Sequence, residues 1–282
     1  MNIKLVASDL DGTIIDRNNF IAKENLDAIE LIHSKKIPFV VCTGKSYSVS
    51  KTICENFKAN YGIFGNGAQI VDLQNDEELN RKILKPKQIN YCIKLARKHN
   101  LHIHFYTDTS IVTENLKYMD LRNYFLKDYN ATELKFCIVP NIEKYIEEEN
   151  PDIFSLVLTT DNSIAELEEI INKHLTVSTS LINKKGVYKD NIINREYEYL
   201  NIAPNNINKN QALAFLSSLL GISQSEMLAI GDNVNDLEMI KNCGIGIAVG
   251  EAYNELKNNS DYITTKTVTD GAFAEAINKF IK

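Results

Sequence analysis

Two aspartates separated by one residue, Asp9 and Asp11, lie in the segment Asp9-Leu10-Asp11-Gly12-Thr13 near the start of a 282-residue chain. Paired carboxylates can divide the work of phosphoryl transfer. One attacks in line, while the other protonates the leaving oxygen and later deprotonates the attacking water. Asp9 is the candidate nucleophile and Asp11 the candidate general acid and base. Three further segments offer groups suited to the same chemistry. Thr43 and Gly44 bring a hydroxyl and a backbone amide, Lys209 brings a cation, and Gly231-Asp232-Asn233-Val234-Asn235-Asp236 brings carboxylates and amides. Several carboxylates without histidine or cysteine form a hard oxygen site, which suits magnesium. Taken singly, these residues have plainer readings. Asp9 and Asp11 could satisfy local amides in a turn, 231–236 could cap a helix, and Lys209 could be a solvated surface lysine. Agreement between the loops favours a site.

Elements that would bring these groups together can be read from the apolar pattern. Residues 3–7 form a short apolar run that ends in an Asp/Gly turn, as expected of a buried strand delivering Asp9 to a loop. The spacing predicts a helix over 23–35, a strand over 37–41 ending at Thr43-Gly44, a helix over 46–57 and a strand over 61–64. This is a βαβαβ alternation. After Leu84-Lys85-Pro86 the rhythm changes. Strands at 101–107, 111–113 and 153–159 with a helix near 165–174 suggest α+β. The alternation resumes after Pro204, with a helix carrying Leu213, Leu216 and Leu220, a strand at 227–230, a helix at 236–242, strands at 245–249 and 261–264, and a final helix at 272–281. The expected fold is α/β: a Rossmann-like, doubly wound parallel-sheet core formed by 1–83 and 204–282, with an inserted α+β cap domain at 84–203. In such sheets ligands bind beyond the carboxyl ends of the strands, where the candidate loops would converge.

Composition narrows the function classes. A net charge of −6 disfavours nucleic acid as a bulk partner, although a local cluster of donors could hold one phosphate. The five cysteines are scattered without a Cys-x-x-Cys pair, which suits free thiols in a reducing compartment. No apolar run reaches membrane-spanning length, so a cytoplasmic protein is expected. Gly44-Lys45-Ser46 lacks the glycine five residues earlier that a nucleotide-binding P-loop requires, since Phe39 stands there. His102 and His104 could share one face of a strand, but no third metal ligand lies at suitable spacing.

Together these segments resemble the haloacid dehalogenase superfamily, and within it the Cof-type phosphatases with a type IIB cap. Asp9 to Thr13 looks like the first family motif, Thr43-Gly44 the second, Lys209 the third, and Gly231-Asp232 through Asn235-Asp236 the fourth. The likeness extends to Asn66-Gly67-Ala68, to 244–249 and to Asp270-Gly271-Ala272. The resemblance implies a Mg2+-dependent phosphatase that hydrolyses small phosphate monoesters (sugar phosphates, nucleotides or cofactor phosphates) through an aspartyl-phosphate intermediate. It implies that Asp9 ligates the metal as well as attacking phosphorus, that Asp11 ligates through its backbone carbonyl, that Asp232 adds a carboxylate, and that Asp236 supports the metal shell. By the same resemblance Leu10 would offer its backbone amide to phosphate beside Thr43, Gly44, Lys209 and Asn235, and the cap would close over the leaving group and set specificity. Lys45 stands where many relatives have arginine, and Asn233 where glycine is frequent. The implied partner is a small phosphorylated metabolite, handled by a monomer or weak homo-oligomer without nucleic acid or membrane. Two other functions are compatible with the same residues, a sugar phosphomutase of this superfamily and a non-catalytic module that senses a phosphate ligand.

Overall fold

The central strands of the core carry side chains that are apolar on both faces, so they can only sit inside a sheet covered on both sides. The computed structural model describes residues 2–16, 20–118, 135–188 and 191–282. In chain order its strands are β1 Leu5–Asp9, β2 Phe39–Cys42, β3 Tyr61–Phe64, β4 Gln69–Asp72, β5 Glu77–Arg81, β6 His102–Tyr106, β7 Ser110–Thr113, β8 Lys135–Ile138, β9 Ser155–Thr160, β10 Val177–Tyr188, β11 Asn191–Pro204, β12 Met227–Gly231, β13 Ile245–Ala248 and β14 Tyr262–Ile263. Every residue of β1, β2 and β12 is buried.

The described chain divides into two compact units. One comprises Met1–Arg81 with Asn208–Lys282, and the other Lys82–Phe125 with Thr132–Ile207, leaving aside residues outside those described. The sequence reading set the boundaries after 83 and 203. The two compact units divide after Arg81 and after Ile207. Each unit has its own apolar cluster, the first around Leu5, Val40, Ile230 and Phe273, the second around Ile93, Phe105, Leu158 and Ile202.

The first unit is an eight-stranded sheet in the order β14-β13-β12-β1-β2-β3-β4-β5. From β14 to β3 all neighbours are parallel, while β4 and β5 add an antiparallel edge. This is the expected parallel α/β core, with an extra hairpin that the apolar pattern did not announce. β5 reads Glu-Glu-Leu-Asn-Arg and has no buried residue, so it carries no alternation to detect. The order places β1 between β2 and β12, so their carboxyl ends lie side by side. The helix Lys209–Leu220 starts near the same edge, with the Asn208 side chain accepting from the Gln211 amide at 2.7 Å as its N-cap.

The second unit holds a six-stranded sheet in the order β10-β11-β9-β6-β7-β8, antiparallel except for β7 with β8. Helices Pro86–Lys98, Ile142–Glu149 and Ala165–His174 complete its α+β architecture. Among the described residues no helix is long and apolar enough to cross a membrane.

The last helix of the core, Ala272–Phe280, is tied to the preceding loop by Glu275. Its carboxylate accepts from the Tyr262 hydroxyl at 2.6 Å, the Thr265 amide at 2.9 Å and the Lys266 amide at 2.9 Å. Burial works against the charge, but the Tyr262 hydroxyl and these amides outweigh it and hold the carboxyl down at about 2. A carboxyl depressed by folding contributes stability above its unfolded value near 4.5, and that contribution is lost as the pH falls towards about 2. Glu275→Gln is therefore expected to lower unfolding stability by about 1 to 2 kcal/mol at neutral pH. In urea titrations across the acid range, the gap to wild type should close between pH 4.5 and about pH 2.

Candidate active site

Asp9 is the last residue of β1 and is 6% exposed. Lys209, the first residue of its helix, is 0% exposed, so its ammonium must find partners inside the protein. It donates to Asp9 Oδ1 at 2.5 Å and to Asp236 Oδ1 at 2.6 Å. Asp236 is also fully buried, and its other oxygen, Oδ2, accepts from the backbone amides of Asp232 and Asn233 at 3.1 Å each. The turn after β12 is thereby wrapped around one carboxylate. Thr13 Oγ1 lies 3.5 Å from Asp9 Oδ2. Gly12 adopts φ +82°, and a Cβ there would stand 2.5 Å from the Asp232 carboxylate. A side chain at this position would be strained and would also displace Asp232.

Carboxylate oxygens of Asp9, Asp232 and Asp236 all lie within 4.8 Å of one another. One buried lysine therefore faces three carboxylates. Burial pushes the Asp9 carboxyl well above its ordinary range; Lys209 works against this, and the charges of Asp236 and Asp232 reinforce it. Asp232 is pushed up to about 6, by burial first and by Asp236 next. Burial opposes the charge on Lys209, but Asp236 and Asp9 more than compensate and raise its pKa. The site is short of positive charge. Its donors are all oxygen, so a small hard divalent cation fits both the deficit and the donor set. Asp9 and Asp232 are the groups placed to hold one, with the Asp11 carbonyl two residues beyond Asp9.

The remaining residues singled out from the sequence occupy the same edge of the core sheet. Thr43 directly follows β2, is 1% exposed, and its Oγ1 accepts from the Lys45 amide at 3.1 Å. Gly44 follows it and is exposed. Leu10 directly follows β1, with a buried side chain and a carbonyl that accepts from Ile14 and Ile15. Asn235 is exposed and donates from Nδ2 to Asn66 Oδ1 at 2.9 Å. The Asp11 side chain, half exposed, accepts from Lys45 Nζ at 2.9 Å, and its charge adds to those acting on Asp232. Asp236, expected to support the metal shell, shares Lys209 directly with Asp9.

Two participants escaped the sequence reading. Lys45 was noted only as a departure, yet it is the partner of Asp11. Asn66 stands out in the sequence only within the likeness at Asn66-Gly67-Ala68, yet it holds Asn235. Its signal was the Asn66-Gly67 pair, which marks a turn without saying what the side chain meets. His102 and His104 lie side by side on β6 with ring centroids 5.7 Å apart, and no third metal ligand joins them among the described residues.

Comparison with known proteins agrees with this architecture. A family model described as haloacid dehalogenase-like hydrolase matches residues 6–277. The chain is 29% identical to the 5-amino-6-(5-phospho-D-ribitylamino)uracil phosphatase of Bacillus subtilis, over 100% of this chain and 97% of that protein. It is 23% identical to the phosphoglycolate phosphatase of Methanobrevibacter smithii, over the full length of both. Among solved structures, a haloacid dehalogenase-like hydrolase from Bacteroides thetaiotaomicron superposes with a TM-score of 0.78 at 23% identity, covering 99% of this chain and 100% of that one.

If Lys209 is the counter-charge on which the buried carboxylates depend, Lys209→Met should be costly, since methionine keeps the stem but removes the cation. Unfolding in the presence of chelator should show a loss of roughly 3 to 5 kcal/mol, the size expected when a buried pair loses one partner.

Proposed function

The chain belongs to the haloacid dehalogenase-like hydrolase family, and we propose that it is a magnesium-dependent phosphatase that hydrolyses small phosphate monoesters through an aspartyl phosphate on Asp9. The observation that carries this reading is the grip of Lys209 on Asp9 and Asp236. It fixes the nucleophile at the end of a buried strand and leaves the surrounding carboxylates with unneutralised charge.

In the proposed reaction a carboxylate oxygen of Asp9 attacks phosphorus in line. As the O–P bond to Asp9 forms, the bond to the ester oxygen breaks, and Asp11 gives that oxygen its proton. Asp11 then takes a proton from water, whose oxygen attacks phosphorus, releases inorganic phosphate and restores the Asp9 carboxylate. Charge on the transferring phosphoryl oxygens is met by Lys209, the Thr43 hydroxyl, the backbone amides of Leu10 and Gly44, and the Asn235 amide. Lys45, through its ion pair, holds the Asp11 carboxylate in one orientation between the two proton transfers. Magnesium, held by Asp9, Asp232 and the Asp11 carbonyl and supported by Asp236, would supply the positive charge that lets anionic phosphate approach an anionic nucleophile.

The second unit, Lys82–Ile207 in its described parts, is proposed to choose the leaving group, because the core supplies groups for phosphate alone. The two relatives compared act on phosphates with unlike organic parts. A ribitylamino-pyrimidine phosphate and short phosphorylated acids are therefore the first compounds to assay, followed by sugar phosphates and nucleotides.

Asp9→Asn should reduce turnover of p-nitrophenyl phosphate by at least about a thousandfold, the scale expected when a covalent nucleophile is lost. The wild-type protein should lose activity in chelator and regain it with magnesium. Persistent turnover in the Asp9→Asn variant would remove Asp9 from its role. Interconversion of sugar 1- and 6-phosphates without net release of phosphate would make the protein a mutase.

A further inference from the structure

The turn Gly65–Gly67 has no chemistry of its own, yet it touches all three segments proposed to surround the phosphate besides the first. The Asn66 amide donates to the Thr43 carbonyl at 3.0 Å, and the Gly65 amide to the Lys45 carbonyl at 2.8 Å, so the turn backs the Thr43-Gly44 loop. Gly67, at φ +109°, lies against the carbonyl of Asn208, the cap of the helix that begins with Lys209; a Cβ there would come within 2.6 Å of that oxygen. The third segment is reached by a side chain. Asn66 Oδ1 accepts from Asn235 Nδ2 at 2.9 Å, across 169 residues of sequence.

Asn66 sits at φ 56°, ψ 25°, a left-handed conformation that asparagine tolerates better than other residues with a Cβ. Its backbone is held from the Thr43 side, so its side-chain oxygen is presented from a fixed frame. Asn235 is exposed and belongs to the short turn Val234–Asp236. Its amide would otherwise be free to rotate and to present either oxygen or nitrogen to an approaching anion. A bond to one hydrogen of Nδ2 fixes the amide as a donor and leaves the second hydrogen of the same nitrogen to point elsewhere.

We infer that Asn66 is a positioning residue for phosphate: by accepting from Asn235 Nδ2 it orients the Asn235 amide so that its remaining N–H is directed to the phosphoryl group. This rests on the proposed phosphatase reading, which makes Asn235 a phosphate donor. The physical content is preorganisation, since a donor already aimed loses nothing to reorientation when the anion arrives.

The test is a double-mutant cycle on the full chain in magnesium, with inorganic phosphate as the probe in calorimetric titration. Asn66→Gly removes the side chain and keeps a left-handed backbone open to the turn, so the fold should be retained with a melting temperature near that of wild type. Asn235→Ala alters an exposed side chain and keeps the inference testable should the first variant fold poorly. Each single variant is expected to weaken phosphate binding by about tenfold, the order of one lost oriented hydrogen bond. The double variant should be no weaker than Asn235→Ala alone. Full affinity in Asn66→Gly, or losses that multiply in the double variant, would overturn the inference. A wild type that binds phosphate with this coupling but does not turn over p-nitrophenyl phosphate would leave the positioning role standing and refute the phosphatase reading instead.

Discussion

A lysine ammonium with no exposure to solvent must be matched by negative charge, and Lys209 is matched by Asp9 and Asp236 from two different segments. Much of the core follows from that requirement. Asp9 reaches the lysine because β1 ends there, and Asp236 reaches it because the turn after β12 folds back on the amides of Asp232 and Asn233. The lysine itself is delivered by the first turn of a helix with a properly capped start. β1 and β12 are neighbours in register from Leu5 with Met227 to Ser8 with Ile230, so the two acidic loops cannot drift apart without breaking the most buried part of the sheet. The apolar core thus sets the distances on which the charges depend.

The same cluster explains why a folded core keeps an arrangement that electrostatics alone would not favour. Three carboxylates around one ammonium leave uncompensated negative charge where water is largely excluded. Replacing the set by apolar residues of similar volume would be neutral or stabilising in many proteins. The all-oxygen donor set and the shortage of positive charge are what a small divalent cation could satisfy in the proposed reading. The raised pKa values of Asp9 and Asp232 have burial as their larger cause, with the neighbouring carboxylates adding to it.

Legibility in the sequence followed burial. β1, β2 and β12 are continuous apolar runs, and their ends locate Asp9, Thr43 and the 231–236 loop from sequence alone. The β4–β5 edge and the long β10–β11 pair were not legible as such, because Glu77–Arg81 and much of Asn191–Pro204 mix polar and charged residues that an exposed edge or hairpin tolerates. The candidate residues Asp9, Asp11 and Lys209 stand out in the sequence because a motif names them. Their partners stand out less. The contact between Lys45 and Asp11 spans 34 residues and that between Asn66 and Asn235 spans 169, and neither leaves a local pattern. Long-range polar pairing is decided by which loops the sheet order brings together, and that order is set elsewhere in the chain.

The claim that Asp9 carries the phosphoryl group can be tested by chemical trapping. Enzyme quenched during turnover of p-nitrophenyl phosphate in magnesium, reduced with borohydride and mapped by mass spectrometry, reports any acyl phosphate as a carboxyl reduced to an alcohol. The mechanism predicts this reduction at Asp9 and at no other carboxylate, with an amount that follows the steady-state level of phosphoenzyme measured from labelled substrate. Labelled phosphoenzyme whose reduction falls on Asp11, Asp232 or Asp236, or active enzyme in which no carboxylate becomes labelled, would contradict it.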